Sequence, residues 1–269
     1  MILVFDLFGG LCNQFYDINC AINFCVINNK KFTFRNCSFR NSNLNTWYNE
    51  NVEKLFNLSF LEKYNNLYIN CSTLTLTNDN TYNMEGKHSV YLFTDDFLEK
   101  AGNKEYIIMK QFVGLYNFHH IVDNVNSKIL PSNRIMDLYN TIKNKILFSN
   151  EQYNFIHYRY ESDFTNFFNL NVENLKSLIL RIKYKFKNPN LRIYIATSNI
   201  KKIINMNDPD ICNIIITKNE DNLKEYNFEE LAFVDYMFGL NSSEVFGHDK
   251  SSFSHMLNSL KNTGNYYNV

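Results

Sequence analysis

Residues 1–27, MILVFDLFGGLCNQFYDINCAINFCVI, decide how the chain is to be read. Met1 to Leu7 is a nearly continuous apolar run, the pattern of a strand buried on both faces. The CNQFYDINCAINFCVI that follows carries apolar residues near helical spacing. Gly9 and Gly10 therefore fall in a strand-to-helix turn, in a chain that has only 8 glycines. Glycine permits positive φ and lets a ligand approach the backbone, and the free amides of a helix start suit an anion such as phosphate. A tight turn without a ligand is the plain alternative. The dinucleotide fingerprint is not met, because the third glycine is missing and Asn13 and Gln14 stand where a small residue would be wanted.

The same alternation continues outward from this unit. KKFTF (30–34) reads as a second strand, VEKLFNLSFLEKY (52–64) as an amphipathic helix, SVYLFTD (89–95) as a strand and KEYIIMKQFVGLYN (104–117) as mixed. A helix is expected in SNRIMDLYNTIKNKILF, with Pro131 just before it as a start signal. The second half reads as YNFIHYRY (153–160) strand, 171–187 helix, 191–197 strand, 198–204 short helix and 212–217 strand. Helix 227–241, strand 243–247 and helix 251–261 follow. Strands alternating with helices in this way imply an α/β fold, with a parallel sheet covered on both faces in the second half, and the chain is divided here into 1–125 and 126–269. Ligands in such sheets sit at the carboxyl ends of the strands, which selects Gly9 to Gln14, His157 to Asp163, Ala196 to Asn199 and Gly247 to Phe253.

Composition narrows the function classes. A hydrophobic content of 45% supports a real core, and 27 basic against 27 acidic residues give a formal charge of zero. No general attraction to nucleic acid or an anionic membrane is expected, so any bound anion needs a local site. The 6 cysteines show no CxxC pairing and no metal-ligand rhythm. No signal peptide or spanning segment is read, so an intracellular, cytoplasmic protein with reduced thiols is expected.

Two segments carry chemistry. In FIHYRYESDF a continued strand would put His157, Arg159 and Glu161 on one face. Those groups at a strand end are costly unless they meet a partner or a ligand, and the guanidinium fork matches phosphate oxygens. An exposed Arg159–Glu161 ion pair is the structural alternative. In FGHDKSSFSHML, Asp249 or Ser251 can cap the following helix, and Ser251 and Ser252 place hydroxyls beside its free amides, where phosphate is welcome. Plain capping needs no ligand, and Phe253 fits a core or a base-stacking role equally.

GGLCNQ, HYRYESD and FEELAFVDYMFGLNSSEVFGHDKSSFSHML together resemble the three signature regions of the GDP-fucose O-fucosyltransferase family and its relatives. Residues 36–150 carry no such likeness. The resemblance implies a GT-B type fold, two Rossmann-like domains with the nucleotide sugar in the cleft between them, and inverting, metal-independent transfer from GDP-fucose to a protein or glycan hydroxyl. It places Arg159 on the donor pyrophosphate, His157 at the nucleotide, and Asn13, with Gly9 and Gly10, near phosphate and sugar. Ser251, Ser252 and Phe253 match the phosphate and nucleoside turn, and Asp235 an acidic position that reads guanine or supports the cleft. Cys12 departs from the usual Gly or Asn. Glu161 is the nearest candidate base, with Asp163 and Asp6 behind it. No cofactor or metal is expected. A transferase for another nucleotide sugar, and a non-catalytic nucleotide-sugar-binding scaffold, fit the same motifs.

Overall fold

A computed structural model describes residues 1–41, 46–84, 100–110, 125–160, 162–169, 174–198, 209–218 and 223–267. The chain divides into two compact units, Met1–Arg134 and Ile135–Val269.

The first unit is built on β1 (Ile2–Asp6), whose Leu3, Val4 and Phe5 are buried on both sides as the unbroken apolar run requires. Helix α1 (Leu11–Ile27) follows the glycine turn and returns the chain to β2 (Lys31–Arg40), which extends well beyond the expected KKFTF. β3 (Trp47–Asn51), β4 (Phe56–Asn57), β5 (Thr81–Met84), β6 (Tyr106–Lys110) and β7 (Leu130–Pro131) complete its strands among the described residues. The main sheet has the order β3-β2-β1-β6-β5. It is parallel except at one edge, where β3 runs antiparallel to β2.

The helix expected over 52–64 is instead two 3₁₀ turns, Val52–Lys54 and Ser59–Tyr64, either side of β4. Asparagine explains the difference. The side chains of Asn51 and Asn57 accept from the N–H of Glu53 (2.8 Å) and Ser59 (2.9 Å). These local bonds offer the backbone an alternative to a continuous helix. The strand expected over 89–95 lies outside the described residues.

Helix α2 (Asn133–Ile146) leads into the second unit, where β8 (Tyr153–His157), β9 (Arg192–Ala196), β10 (Ile215–Ile216), β11 (Val245–His248) and β12 (Tyr266–Tyr267) form an all-parallel sheet. Its helices among the described residues are α3 (Ser162–Phe168), α4 (Leu175–Ile182), α5 (Pro209–Cys212), α6 (Phe228–Asn241) and α7 (Ser252–Leu260). Leu178, Ile179 and Ile182 of α4 pack on Ile156, Ile193, Ile195 and Phe246 of the sheet. Helix α4 is shorter than the 171–187 expected, capped by the Asn174 side chain and ending in a 3₁₀ turn at Lys183–Lys185. Most of the short helix expected over 198–204 lies outside the described residues.

The strand order β10-β9-β8-β11-β12 places the first strand centrally and grows outward on both sides. Connections leave in opposite directions from β8 and β11, and the crevice above the carboxyl ends of such a pair is where doubly wound sheets hold ligands.

Candidate functional site

In the first unit, the turn after β1 is held by buried polar groups. Gly9 has φ +89°, and a Cβ there would lie 3.1 Å from Asn13 Nδ2, so glycine serves both the backbone angle and the close approach of Asn13. Gln14 Nε2 donates to the carbonyls of Gly9 and Ser38, each at 2.8 Å, pinning the turn to β2. Asp17 accepts from the Phe8 N–H at 3.2 Å, and burial pushes its carboxyl well above the usual range. Gly10 is the N-cap of α1 and offers no side chain to its amides.

Sequence reasoning missed Arg40. It ends β2 with its guanidinium 5.3 Å over the Trp47 ring and Nη2 3.6 Å from where a Gly10 Cβ would be. A basic residue at the carboxyl end of a strand beside the glycine turn was the available signal. Asp6, one of the candidate bases, is tied by both carboxylate oxygens to Arg35.

In the second unit, β8 ends at His157, where the sequence suggested a strand running to Tyr160. His157 and Arg159 therefore do not share a strand face. The Tyr158 N–H still reaches the Ala196 carbonyl at 2.9 Å, after which the chain turns. The Tyr267 hydroxyl fixes that turn, donating to the His157 carbonyl (2.5 Å) and accepting from the Arg159 N–H (3.3 Å). The Arg159 guanidinium lies 5.0 Å over the Phe164 ring. Glu161 lies outside the described residues, as does the side chain of Asp163.

The histidine of one motif meets the serine turn of the other. His157 Nδ1 is 2.9 Å from Ser254 Oγ, and its ring is 4.4 Å from that of Phe253. Gly247 allows this: a Cβ there would lie 2.3 Å from Ser254 Oγ, so only glycine lets α7 start this close to β11. Burial, then the charges of Arg159, His248 and Lys218, hold the His157 pKa well below the ordinary 6.5, and the imidazole is neutral at pH 7.

His248, at the end of the adjacent strand, accepts the Lys250 N–H on Nδ1 at 3.1 Å. Its pKa is lowered too, burial outweighing the pull of Asp249. Ser251 is the N-cap of α7, yet its side chain makes no capping bond, so the capping role expected of it is not the one it plays. Ser252 and Phe253 form the first turn, with Tyr236 edge-on to Phe253 at 5.7 Å.

Asp235, on α6, is buried. It accepts from the Tyr194 hydroxyl at 2.7 Å and forms an ion pair with Lys218, itself 2% exposed. Its geometry is that of an internal anchor. Sequence reasoning missed Lys218, although a lysine directly after an apolar strand was visible in CNIIITK. Among the described residues no three His, Cys, Asp or Glu side chains cluster as a metal site requires. None of the described helices is long and apolar enough to cross a membrane.

Solved fucosyltransferase structures share this fold. A crystal structure of POFUT1 in complex with GDP matches with a TM-score of 0.66 at 9% identity, over 100% of this chain and 99% of that one. POFUT1 in complex with GDP-fucose matches with a TM-score of 0.66 at 10% identity, over 100% and 98%. NodZ α-1,6-fucosyltransferase co-crystallised with GDP matches with a TM-score of 0.55 at 9% identity, over 95% and 91%. The chain has their fold. The expected GT-B type α/β class therefore stands. No protein-family model matches the sequence, and no curated protein is significantly similar to it.

Proposed function

We propose that the chain is a glycosyltransferase whose second unit binds a GDP-sugar, and that it transfers L-fucose from GDP-fucose to a hydroxyl of a protein or glycan, with inversion and without a metal ion. One observation carries the reading. Residues nearly a hundred positions apart in sequence, His157 and the Ser251–Ser254 turn, meet at the switch point with a 2.9 Å bond. Supporting it, the POFUT1 and NodZ structures of the same fold were solved with GDP or GDP-fucose.

The chemistry follows from charge. When the sugar–phosphate bond breaks, negative charge grows on the β-phosphate and positive charge on the sugar ring. A guanidinium and helix amides already in place stabilise that transition state more than the ground state. A neutral His157 leaves Arg159 as the cation of its segment and offers a hydrogen bond without competing for phosphate. The α7 amides, with the Ser251 and Ser252 hydroxyls, receive the remaining phosphate oxygens. Phe253 packs against the nucleoside, and Asp235 positions Lys218 and Tyr194 beneath the site. Glu161 is the proposed base, since Asp6 is committed to Arg35. Asn13, beside Gly9 in the first unit, is a further candidate residue for the transfer.

Incubation with labelled GDP-fucose and a panel of peptide and glycan acceptors tests the activity, and calorimetry with GDP in buffer and in EDTA tests the site. Label transfer, and GDP affinity unchanged by chelation, are expected. An absence of GDP binding would overturn the reading, and a loss of affinity in EDTA would overturn its metal-free form.

A further inference from the structure

His248 closes β11 and is 1% exposed, a buried titratable group with no part in the chemistry proposed above. Its Nδ1 accepts the Lys250 N–H at 3.1 Å, so the neutral imidazole carries its proton on Nε2. That nitrogen is buried and has no hydrogen-bond partner among the described residues. Asp249 Oδ1 also lies 3.1 Å from Nδ1, but it could be the partner only of a charged ring, which burial disfavours. One bond to the turn after β11 therefore fixes the orientation of the ring, and the rest of the imidazole faces an aromatic pocket.

The pocket is made of groups that hold Arg159. The Phe164 ring stands at 85° to the imidazole with centroids 5.1 Å apart, and the same Phe164 ring carries the Arg159 guanidinium at 5.0 Å. The Tyr267 ring stands at 75° with centroids 5.4 Å apart, and its hydroxyl accepts from the Arg159 N–H. Tyr160 adds a third wall at 5.9 Å and 80°. His248 thus touches both the ring that packs on the guanidinium and the ring that braces its peptide. Near-perpendicular rings at these distances are a favoured aromatic arrangement, and a polar N–H among ring faces recovers part of a missing hydrogen bond. In a close-packed interior, a ring taken out of such a pocket is replaced only by movement of its walls. Phe164 and Tyr267 would settle inward, and Arg159 would move with them.

We propose that His248 is a positioning residue for Arg159: its ring, oriented by the Lys250 amide, sets the Phe164 and Tyr267 rings against which the guanidinium and the peptide of Arg159 are held. The proposal rests on the reading of Arg159 as the residue of the donor phosphate. A fork of two N–H bonds to phosphate requires both to be aligned, and a shift of about 1 Å at a reacting centre costs on the order of 100-fold in rate. Neutrality suits the role, because a charged imidazole would repel the guanidinium it positions. The Arg159 charge is itself one of the influences that lower the His248 pKa, after burial and Lys250.

The test is NMR of the Arg159 Nε–H signal in arginine-labelled full-length protein, the signal being assigned by its loss in Arg159→Lys. His248→Asn keeps an acceptor for the Lys250 N–H but removes the ring, and should displace the signal. His248→Leu, apolar and also ringless, is the second variant should His248→Asn fail to fold. His248→Phe keeps a ring against Phe164 and Tyr267 and should leave the signal near its parent position. Label transfer from GDP-fucose should fall about tenfold or more in the ringless variant, turnover falling more than GDP affinity, and His248→Phe should restore most of it. In an Arg159→Lys background the ringless change should cost little further, because it acts through the residue already replaced. An Arg159 signal unmoved by the ringless variants overturns the proposal. So does a loss of transfer as large in the Arg159→Lys background as in the parent, or a His248→Phe protein as impaired as the ringless ones. A parent that neither binds GDP nor transfers label overturns the donor-site reading instead, and the Arg159 signal then decides the positioning by itself.

Discussion

Gly247→Ala puts the geometry of the second unit to its most direct test. The added Cβ would lie 2.3 Å from Ser254 Oγ, 2.4 Å from Ser254 Cβ and 3.2 Å from Ser254 Cα, where ordinary contact begins at 3.4 Å. Changing the serine rotamer clears only the first of these, so the start of α7 must retreat by roughly 1 Å in a close-packed interior. Over-packing of this kind costs about 1–3 kcal/mol of stability. The His157–Ser254 bond stretches with the helix, losing about 1 kcal/mol. A displacement of that size at a reacting centre costs on the order of 100-fold in turnover.

Urea unfolding should be followed by far-UV circular dichroism, because the single tryptophan, Trp47, lies in the other unit. Calorimetry then reads GDP affinity. Ser254→Gly removes the obstructing atoms, so the double variant should be destabilised by less than the sum of the two single changes, by about 1 kcal/mol or more. A Gly247→Ala protein that unfolds and binds GDP like the parent would refute the argument, and so would strict additivity.

Arg159→Lys should leave the melting temperature nearly unchanged while transfer falls roughly 100-fold, because an ammonium cannot make two parallel bonds to phosphate. GDP affinity should fall less than turnover, and a large loss of stability with normal specific activity would mark Arg159 as structural. Lys218→Met strands the buried Asp235 carboxylate and should cost about 3–5 kcal/mol. Adding Asp235→Asn should recover most of that, and a single variant as stable as the parent would show the pair to be unimportant. His157 and His248 both have pKa values held below 6.5 in the fold, so below that pH the unfolded chain binds more protons than the folded one. Stability should be full above pH 6.5 and decline as the pH falls, by at most about 1.4 kcal/mol per pH unit for each histidine. His157→Gln should flatten the decline, and an unaltered slope would show that His157 is not one of its sources. Asn13→Ala should reduce transfer at unchanged stability, and normal transfer would remove Asn13 from the reaction.

The second unit was legible because its longer strands are rich in apolar residues and because β/α alternation permits few topologies. The glycine pair, the HxR segment and the serine turn were legible because each combines a residue type with a strand end. Whatever depended on a local contest or a distant partner was not. Residues 52–64 have helical spacing, but Asn51 and Asn57 capture the amides a helix would need. His157 and Arg159 were placed on one strand face because nothing near them in sequence announces that pairing stops at His157. Ser251 has the composition of a cap without making the capping bond. The pairing of Lys218 with Asp235 joins strand to helix across the unit, and the two residues of β12 are too few for any periodicity to mark them.

That last strand sets the order in which the site is assembled. The Tyr267 hydroxyl joins the carbonyl of His157 to the amide of Arg159 across 110 and 108 positions of sequence. Contacts so far apart form only after the intervening chain has been closed, which places them late among folding events. On the ribosome, the nascent chain has all of β8 and its flanking helices available before Tyr267 is made to brace the peptide that carries Arg159. The sheet gains its fifth strand and the Arg159 amide its bond to Tyr267 in the same step, so a folding intermediate lacking β12 would be compact yet without that brace.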